Sequence, residues 1–362
     1  MTATLPSGLA NDIALAPLTT LGLGGPARCF VDAVDDETLC DALAWARARA
    51  LPVALIGGGS NVVVPDVGFA GLVIALRMRG VTTVIDGDRV HVTAAAGEPW
   101  DELVARCVSE ELAGIECLSG IPGLVGATPI QNVGAYGQEV STTIASVRVL
   151  ERETLTEHVL TNAECAFSYR YSALKRQPGR YVVLGVTFSL HKGGAPLLRY
   201  QELVNAFLVR GSTSAPSLDD VRATVIALRR AKSMVYDPAA PDENTRSAGS
   251  FFLNPIVPSL QADALAAQLV AEGRIAAPSA LPRYPTSDAT LTKLAAAWLI
   301  EAAGFRKGEQ RGAVGISTKH SLALVCHAGA TANELIAFAN EIEARVQDRF
   351  GIRLEREPVL LA

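Results

Sequence analysis

A chain of 362 residues, 49% hydrophobic and 19% charged, is long enough for two or three domains and has the composition of a soluble globular protein, not a disordered one. Its formal net charge of −5 argues against a general nucleic-acid binder. An anionic ligand would need its positive charge supplied locally.

The N-terminal MTATLPSGLANDIAL has no basic-then-apolar leader pattern, and no apolar run nears the roughly 18 residues that span a bilayer, so a cytoplasmic protein is expected. Asp35 and Asp36 precede a run whose Leu39, Leu43 and Ala46 recur at helical spacing, predicting a capped amphipathic helix. Val53 to Val64 reads as strand, Gly-rich turn, strand, followed by strand signals over Gly71–Leu76. A hairpin is predicted over Thr82–Ile85 and Arg89–Ala95, turned at Asp86-Gly87, and then a helix over Trp100–Leu112. Ser146–Leu150, Glu157–Leu160 and Tyr181–Leu190 are strand-like, so helices and strands interleave without a clean βαβ rhythm. Gly211–Ser217 reads as a linker, and Ser217 caps a helix running toward Met234. A polar loop follows over Asp237–Arg246, then helices over Leu260–Glu272 and Thr290–Ala303 and a strand over Leu322–His327. Thr331 and Glu334 form a capping box for a helix to about Phe350, and Ile352–Leu361 alternates as a last strand.

The stretch Gly114 to Val140 stands apart. Its glycines at 114, 120, 123, 126, 134 and 137 fit neither helix nor strand, and Pro122, Pro129, Gln131, Asn132 and Tyr136 lie between them. Glycine is kept where backbone turns sharply or approaches a ligand closely, so this segment reads either as a wall of amides against a flat ligand or as a long ordered loop. Gly57, Gly58, Gly59, Ser60 and Asn61 can form an anion-binding nest, though a plain hairpin turn explains them as well. No helix follows as the dinucleotide fingerprint requires, and no Gly-Lys-Ser/Thr of a P-loop is present. The cysteines at 29, 40, 107, 117, 165 and 326 show no CxxC and no metal-ligand spacing; they read as reduced thiols, and no metal is expected. Arg170 in FSYRYS, Ser250 in SAGSFFLNP, Lys232 after Arg229-Arg230 and Glu357 in LEREPVLL complete the candidates, each with a bland surface or structural explanation when taken singly.

Taken in order, GGGSN, IPGLVGATPIQNVGAYGQE, YRYS, AGSFFLNP and LEREP resemble the UDP-N-acetylenolpyruvoylglucosamine reductase (MurB) family, flavoenzymes of peptidoglycan precursor synthesis. The resemblance runs from about Thr20 to the C-terminus, and LPRYPTSDATLTKLAAAWLIEAAGFRKG resembles the branch with a tyrosine-bearing substrate loop, here Tyr284. It implies an α+β fold: a two-part FAD-binding region of the vanillyl-alcohol-oxidase/PCMH type, at 1–76 with 352–362 and at 77–228, plus a substrate domain at 229–351. It also implies NADPH as co-substrate, reducing a non-covalent FAD whose N5 passes hydride to the enolpyruvyl group of the nucleotide sugar. Small-molecule partners and a monomer are expected.

On this sequence the resemblance gives FAD the segments Gly57, Gly58, Gly59, Ser60, Asn61, Ile121, Pro122, Gly123, Gly126, Gln131, Asn132, Gly134, Ala135 and Tyr136. Arg170 and Glu357 match the residues that polarise the substrate carboxylate, and Ser250 matches the proton donor. Tyr200, Lys232, Asn254, Tyr284 and His320 match positions that hold substrate. The chain departs from the family pattern at Ser168 and Tyr171 around the arginine, at Pro358 after the glutamate, and at His320 where some relatives have glutamine.

Overall fold

The apolar runs sort into two units in the computed structural model, which describes residues 5–209, 215–237, 239 and 242–361. The first unit is built from the described parts of Met1–Leu18, Pro26–Ser60 and Gly68–Asp237; the second from Thr19–Gly25, Asn61–Val67 and Pro238–Ala362. The linker expected over Gly211–Ser217 lies largely outside the described residues.

In the first unit the helix Asp36–Arg47 is capped as expected, Asp35 accepting the Thr38 N–H at 2.7 Å. Leu39, Leu43 and Ala46 face the core, and the helix connects the strands Pro26–Ala33 and Val53–Ile56. Both run parallel to Phe69–Leu76 between them, and Ala10–Ala14 adds an antiparallel edge. The chain therefore does open with one βαβ unit, whose first strand, PARCFVDA, has too little apolar alternation to be read beforehand. A second, antiparallel sheet orders Thr156–Thr161, Ile144–Glu151, Tyr181–Lys192, Arg89–Ala95 and Val81–Asp86, with Leu112–Ala113 also on Tyr181–Lys192. Trp100 opens the helix Trp100–Ser109 and packs on Phe188 with ring centroids 5.6 Å apart; one hydrophobic core serves both sheets. That helix stops short of Leu112 because Glu111 adopts φ 57°.

In the second unit Ser247–Ser250, Ala323–Cys326, Val314–Ile316 and Gln310–Arg311 form one sheet. The helix Ala332–Phe350 covers a core containing Phe251, Phe252, Phe305 and Phe338. Thr331 and Glu334 make the expected capping box, and Ser217 with Asp220 makes one in the first unit. The helix expected over Thr290–Ala303 forms only as Ala296–Ala302. Leu291–Leu294 is the central strand of a sheet between Ile256–Pro258 and Arg283–Pro285, and Asn254 Oδ1 accepts the Ala296 N–H at 2.9 Å where the helix begins. Cross-strand pairing overrides the helical periodicity there. The tail is a strand only at Val359–Leu360, paired in parallel with Val62–Val63.

The Gly-rich stretch is held from behind by a fully buried carboxylate. Glu116 accepts the N–H groups of Gly114 at 2.7 Å and Leu197 at 2.9 Å and the Gln138 side-chain amide at 2.7 Å, while Gln138 Oε1 accepts the Cys117 N–H at 2.8 Å. Each buried donor left without its acceptor costs about 1–3 kcal/mol. Glu116→Ala is therefore expected to lower unfolding stability by at least about 3 kcal/mol and Glu116→Gln by less, measured by urea denaturation; equal and small losses would show that this carboxylate is dispensable.

Candidate active site

The turn Gly57–Asn61 connects two strands, but not as a hairpin: Val53–Ile56 pairs with Phe69–Leu76 in the first unit, and Val62–Val63 pairs with Val359–Leu360 in the second. Within the first unit the turn meets the Gly-rich wall directly. Ser60 Oγ donates to the Pro122 carbonyl at 3.2 Å, and a Cβ on Gly58 would sit 2.8 Å from the Gly123 Cα. Only glycine permits that approach. The N–H groups of Gly58, Gly59, Ile121 and Gly123 donate to no other described residue, and the two segments that carry them meet where Gly58 approaches Gly123. Gly126 is buried and spends its N–H on the Ala96 carbonyl at 2.9 Å.

Further along the wall, Gly134–Ala135 and Gln138–Glu139 pair as a small hairpin whose turn is made by Tyr136 (φ 48°) and Gly137 (φ 83°). Arg170 sits at the tip of a two-residue turn closed by reciprocal 3.0 Å bonds between Ser168 and Tyr171. Its guanidinium donates to the Asn132 carbonyl at 3.3 Å and to the Gly134 carbonyl, and lies 5.2 Å from the Tyr169 ring centroid. A Cβ on Gly134 would stand 2.9 Å from Arg170 Nη1. Gln131 flanks this cluster, half-buried.

The wall's hairpin also gathers Tyr200 and Lys232. Tyr136 and Tyr200 stack edge to face at 5.5 Å, and Lys232 Nζ is 5.9 Å from the Tyr136 ring centroid. Burial pushes the Tyr136 phenol up to about 12, so it stays a neutral donor. Lys232 pairs with Glu202 at 2.7 Å, a partner that no local pattern reveals because 30 residues separate them. The neighbouring Arg229 turns elsewhere: it donates to the carbonyls of Gly120 at 3.1 Å and Met234 at 2.7 Å, and burial lowers its pKa. Asp101 holds Gly120 from the other side, accepting its N–H at 2.5 Å and a two-pronged Arg222 at 2.6 and 2.9 Å.

In the second unit, Gly249 at φ 73° and a bulge between Ser247 and Ser250 end the strand that carries Ser250. Beyond it the Phe251 N–H donates to the Leu322 carbonyl at 2.7 Å, and the Phe251 carbonyl accepts the Glu357 N–H at 2.9 Å. The Leu253 N–H donates to Glu355 at 2.9 Å, so residues 251–253 and 355–357 run antiparallel and seat Glu357 one residue from Ser250. Asn61 brackets the same tail: Nδ2 donates to the Glu357 carbonyl at 3.2 Å and its carbonyl accepts the Val359 N–H at 3.0 Å. Pro358, lacking an N–H, sits between those two bonds without interrupting them. His320 lies on the adjoining loop, where Nδ1 accepts the Leu322 N–H at 3.1 Å, which puts a neutral ring's proton on Nε2. Asn254 follows directly, its oxygen committed to Ala296 and its amide N–H groups left over. Tyr284 is on the strand Arg283–Pro285 opposite Lys293, with the lysine 5.8 Å from its ring centroid.

Residues 27–157 match the family model for an FAD binding domain, and residues 240–361 match that for the C-terminal domain of UDP-N-acetylenolpyruvoylglucosamine reductase. The reductase of that name from Streptomyces avermitilis is 48% identical over 351 residues, 96% of this chain and 94% of that one. The one from Thermobifida fusca is 48% identical over 362 residues, 99% of each. The chain belongs to the UDP-N-acetylenolpyruvoylglucosamine reductase family. The crystal structure of the reductase from Thermus caldophilus, at 24% identity, shares the fold with a TM-score of 0.63 over 97% of this chain and 98% of that one.

The family's α+β architecture, an FAD-binding region of the PCMH type followed by its own C-terminal domain, is the one expected from the sequence, and the chain is an oxidoreductase. The unengaged N–H groups at Gly58, Gly59, Ile121 and Gly123 suit the diphosphate of a flavin dinucleotide, because peptide donors converging from two turns bind an anion without a formal positive charge. Among the described residues no group of three or more His, Cys, Asp or Glu side chains could hold a metal ion. No described helix is long and apolar enough to cross a membrane.

Two tests address the wall. Gly58→Ala should force the turn away from Gly123 and lower the flavin content of purified protein, read as the ratio of flavin to protein absorbance; full flavin content would mean that this contact does not shape the cradle. Burial alone would raise the pKa of Asp101, but Arg222 and the Gly120 N–H outweigh it and hold the carboxyl below its usual value. A lowered folded-state value means that its contribution is complete above the unfolded value of about 3.9 and disappears as pH falls through the folded one. Urea unfolding of the wild type and Asp101→Asn should therefore differ at pH 7 and converge in acid below about pH 4.

Proposed function

We propose that this enzyme reduces the enolpyruvyl group of UDP-N-acetylenolpyruvoylglucosamine to the lactyl ether at the expense of NADPH, in peptidoglycan precursor synthesis. The observation that carries this reading is the main-chain pairing that sets the Glu357 segment beside the Ser250 strand, from positions about a hundred residues apart. Near-identical length and 48% identity to reductases of that name support it.

FAD, held by the glycine-lined turns at Gly58–Gly59 and Ile121–Gly123, would supply a hydride for the terminal carbon of the enolpyruvyl group. Hydride addition would build negative charge on the neighbouring carbon and toward the adjoining carboxylate, and a proton delivered to that carbon would discharge it. Arg170 meets that charge with a guanidinium whose orientation is fixed by two carbonyls. One such contact to developing charge is worth roughly 3–4 kcal/mol. Glu357, protonated, shares the polarisation, and Ser250 gives the proton. Positioned proton donation contributes about 10²–10⁴ in rate. Tyr200, Lys232, Asn254, Tyr284 and His320 hold the nucleotide sugar, Lys232 as a point charge for its diphosphate. In this division of labour the flavin is shared by 1–76 with 352–362 and by 77–228, and 229–351 handles substrate.

Non-covalent flavin follows from the thiol chemistry of the wall. Cys117 is the one cysteine in the Gly-rich segments; it is buried, donates to the Leu197 carbonyl at 3.2 Å, and has its pKa pushed far up by burial. Such a thiol is a poor nucleophile toward an isoalloxazine. The reading places the enzyme in the cytoplasm as a monomer acting on small molecules.

Anaerobic stopped-flow kinetics test the assignment. Ser250→Ala should be bleached by NADPH at close to the wild-type rate, while return of the flavin absorbance on adding the enolpyruvyl nucleotide slows about 10²-fold or more. Equal collapse of both half-reactions would make Ser250 structural.

A further inference from the structure

Arg170 and Asn132 both adopt the left-handed backbone region, at φ 54° and 46°. An arginine there is held by its surroundings, whereas asparagine is among the few residues that tolerate it. The surroundings of Arg170 converge on Asn132, whose side chain is 1% exposed. Asn132 Nδ2 donates to the Glu139 carboxylate at 2.9 Å and to the Ser168 carbonyl at 3.0 Å, and Oδ1 accepts the Ser141 N–H at 3.1 Å. The Ser168 carbonyl also closes the turn that presents Arg170, and the Asn132 carbonyl receives the guanidinium itself. One residue thus grips the arginine at both ends, at the neck of its turn and at its side-chain tip.

We propose that Asn132 is a positioning residue for Arg170, fixing the guanidinium for the enolpyruvyl half-reaction through its buried carboxamide and its main-chain carbonyl. This rests on the role given to Arg170 above. The carboxamide suits the task because it donates twice and accepts once at the same time. An aspartate of the same shape would face Glu139 and the Ser168 carbonyl with oxygen alone. Glu139 gives the arrangement its fixed point: it lies on the wall's hairpin, whose Gly134 carbonyl is the guanidinium's second acceptor. Ser172 adds support from the other flank, its buried hydroxyl donating to the Ile130 carbonyl at 2.6 Å, and Lys175 Nζ reaches the Arg170 carbonyl at 3.2 Å. With both donors and its oxygen engaged inside the protein, the Asn132 side chain has no amide proton left for a cofactor.

The test is a double-mutant cycle read on the two half-reactions of the flavin-loaded enzyme. Asn132→Gly deletes the carboxamide while allowing the same positive φ. It should slow reoxidation by the enolpyruvyl nucleotide about 10–100-fold more than it slows reduction by NADPH, the scale on which small misplacements of reacting groups act. In an Arg170→Ala background the same substitution should change nothing further, because the group it positions is gone. Multiplying effects in the double variant, loss of flavin, or equal slowing of both half-reactions would overturn the proposal. Should Asn132→Gly fail to fold, Asn132→Asp removes both donated bonds and keeps the acceptor for Ser141. It should show the same selective, Arg170-dependent slowing, and wild-type reoxidation would refute it. Arg170→Ala that reoxidises normally by itself would instead sink the role of the arginine, a result separable from failure of Asn132.

Discussion

The hydrogen bond from the Glu357 N–H to the Phe251 carbonyl is the constraint that fixes the Glu357 segment against the Ser250 strand in the second unit. Phe251 and Phe252 are buried and stacked at 5.4 Å, so the strand leaving Ser250 is anchored by the hydrophobic core. The tail that carries Glu357 is anchored before it by Ile352 and Leu354 in the same core and after it by the buried Leu361, while Val359 and Leu360 are exposed. Main-chain pairing fixes the stretch between those anchors. Asn61 strengthens it by using one side chain and one carbonyl on either side of Pro358, where an ordinary ladder would lose a donor.

The first unit reaches a comparable result by other means. Its wall has almost no regular structure, and its order comes from polar groups behind it: the buried Glu116 and Gln138, and the half-buried Asp101 with Arg222 and Arg229 on Gly120. Fully satisfied networks of this kind rigidify a backbone that glycine would otherwise leave loose. Among the described residues, the N–H groups of Gly58, Gly59, Ile121 and Gly123 remain unengaged by the protein itself.

The three basic residues at the end of the helix Leu218–Ala231 show how closely spaced side chains separate in function. Arg229 is half-buried and turns to the Gly120 and Met234 carbonyls, whereas Lys232 reaches Glu202 and Tyr136. The 2.7 Å pair with Glu202 holds the Lys232 cation in one orientation. Tyr136, a wall residue by sequence, is a neighbour of Tyr200 and Lys232 in space, so the same hairpin serves both the Arg170 cluster and the aromatic pair.

Local chemistry alone determined the capped helices at Asp35, Ser217 and Thr331, the hairpin at Asp86-Gly87 and the strand–turn–strand around GGGSN, because caps, turns and apolar periods act over a few residues. The ordered motifs determined the family as well. Tertiary structure decided that Leu291–Leu294 is a strand and that Pro26–Ala33 opens a βαβ unit, since each is fixed by partners distant in the chain. It also decided which motif residues keep main-chain donors that no other described residue takes, as Gly58 and Gly59 do, and which are consumed inside the fold, as Asn132 and Asn61 are. A sequence states that an asparagine has two donors and an acceptor. Only the folded chain states which atoms take them, because those atoms arrive from segments tens to hundreds of residues away.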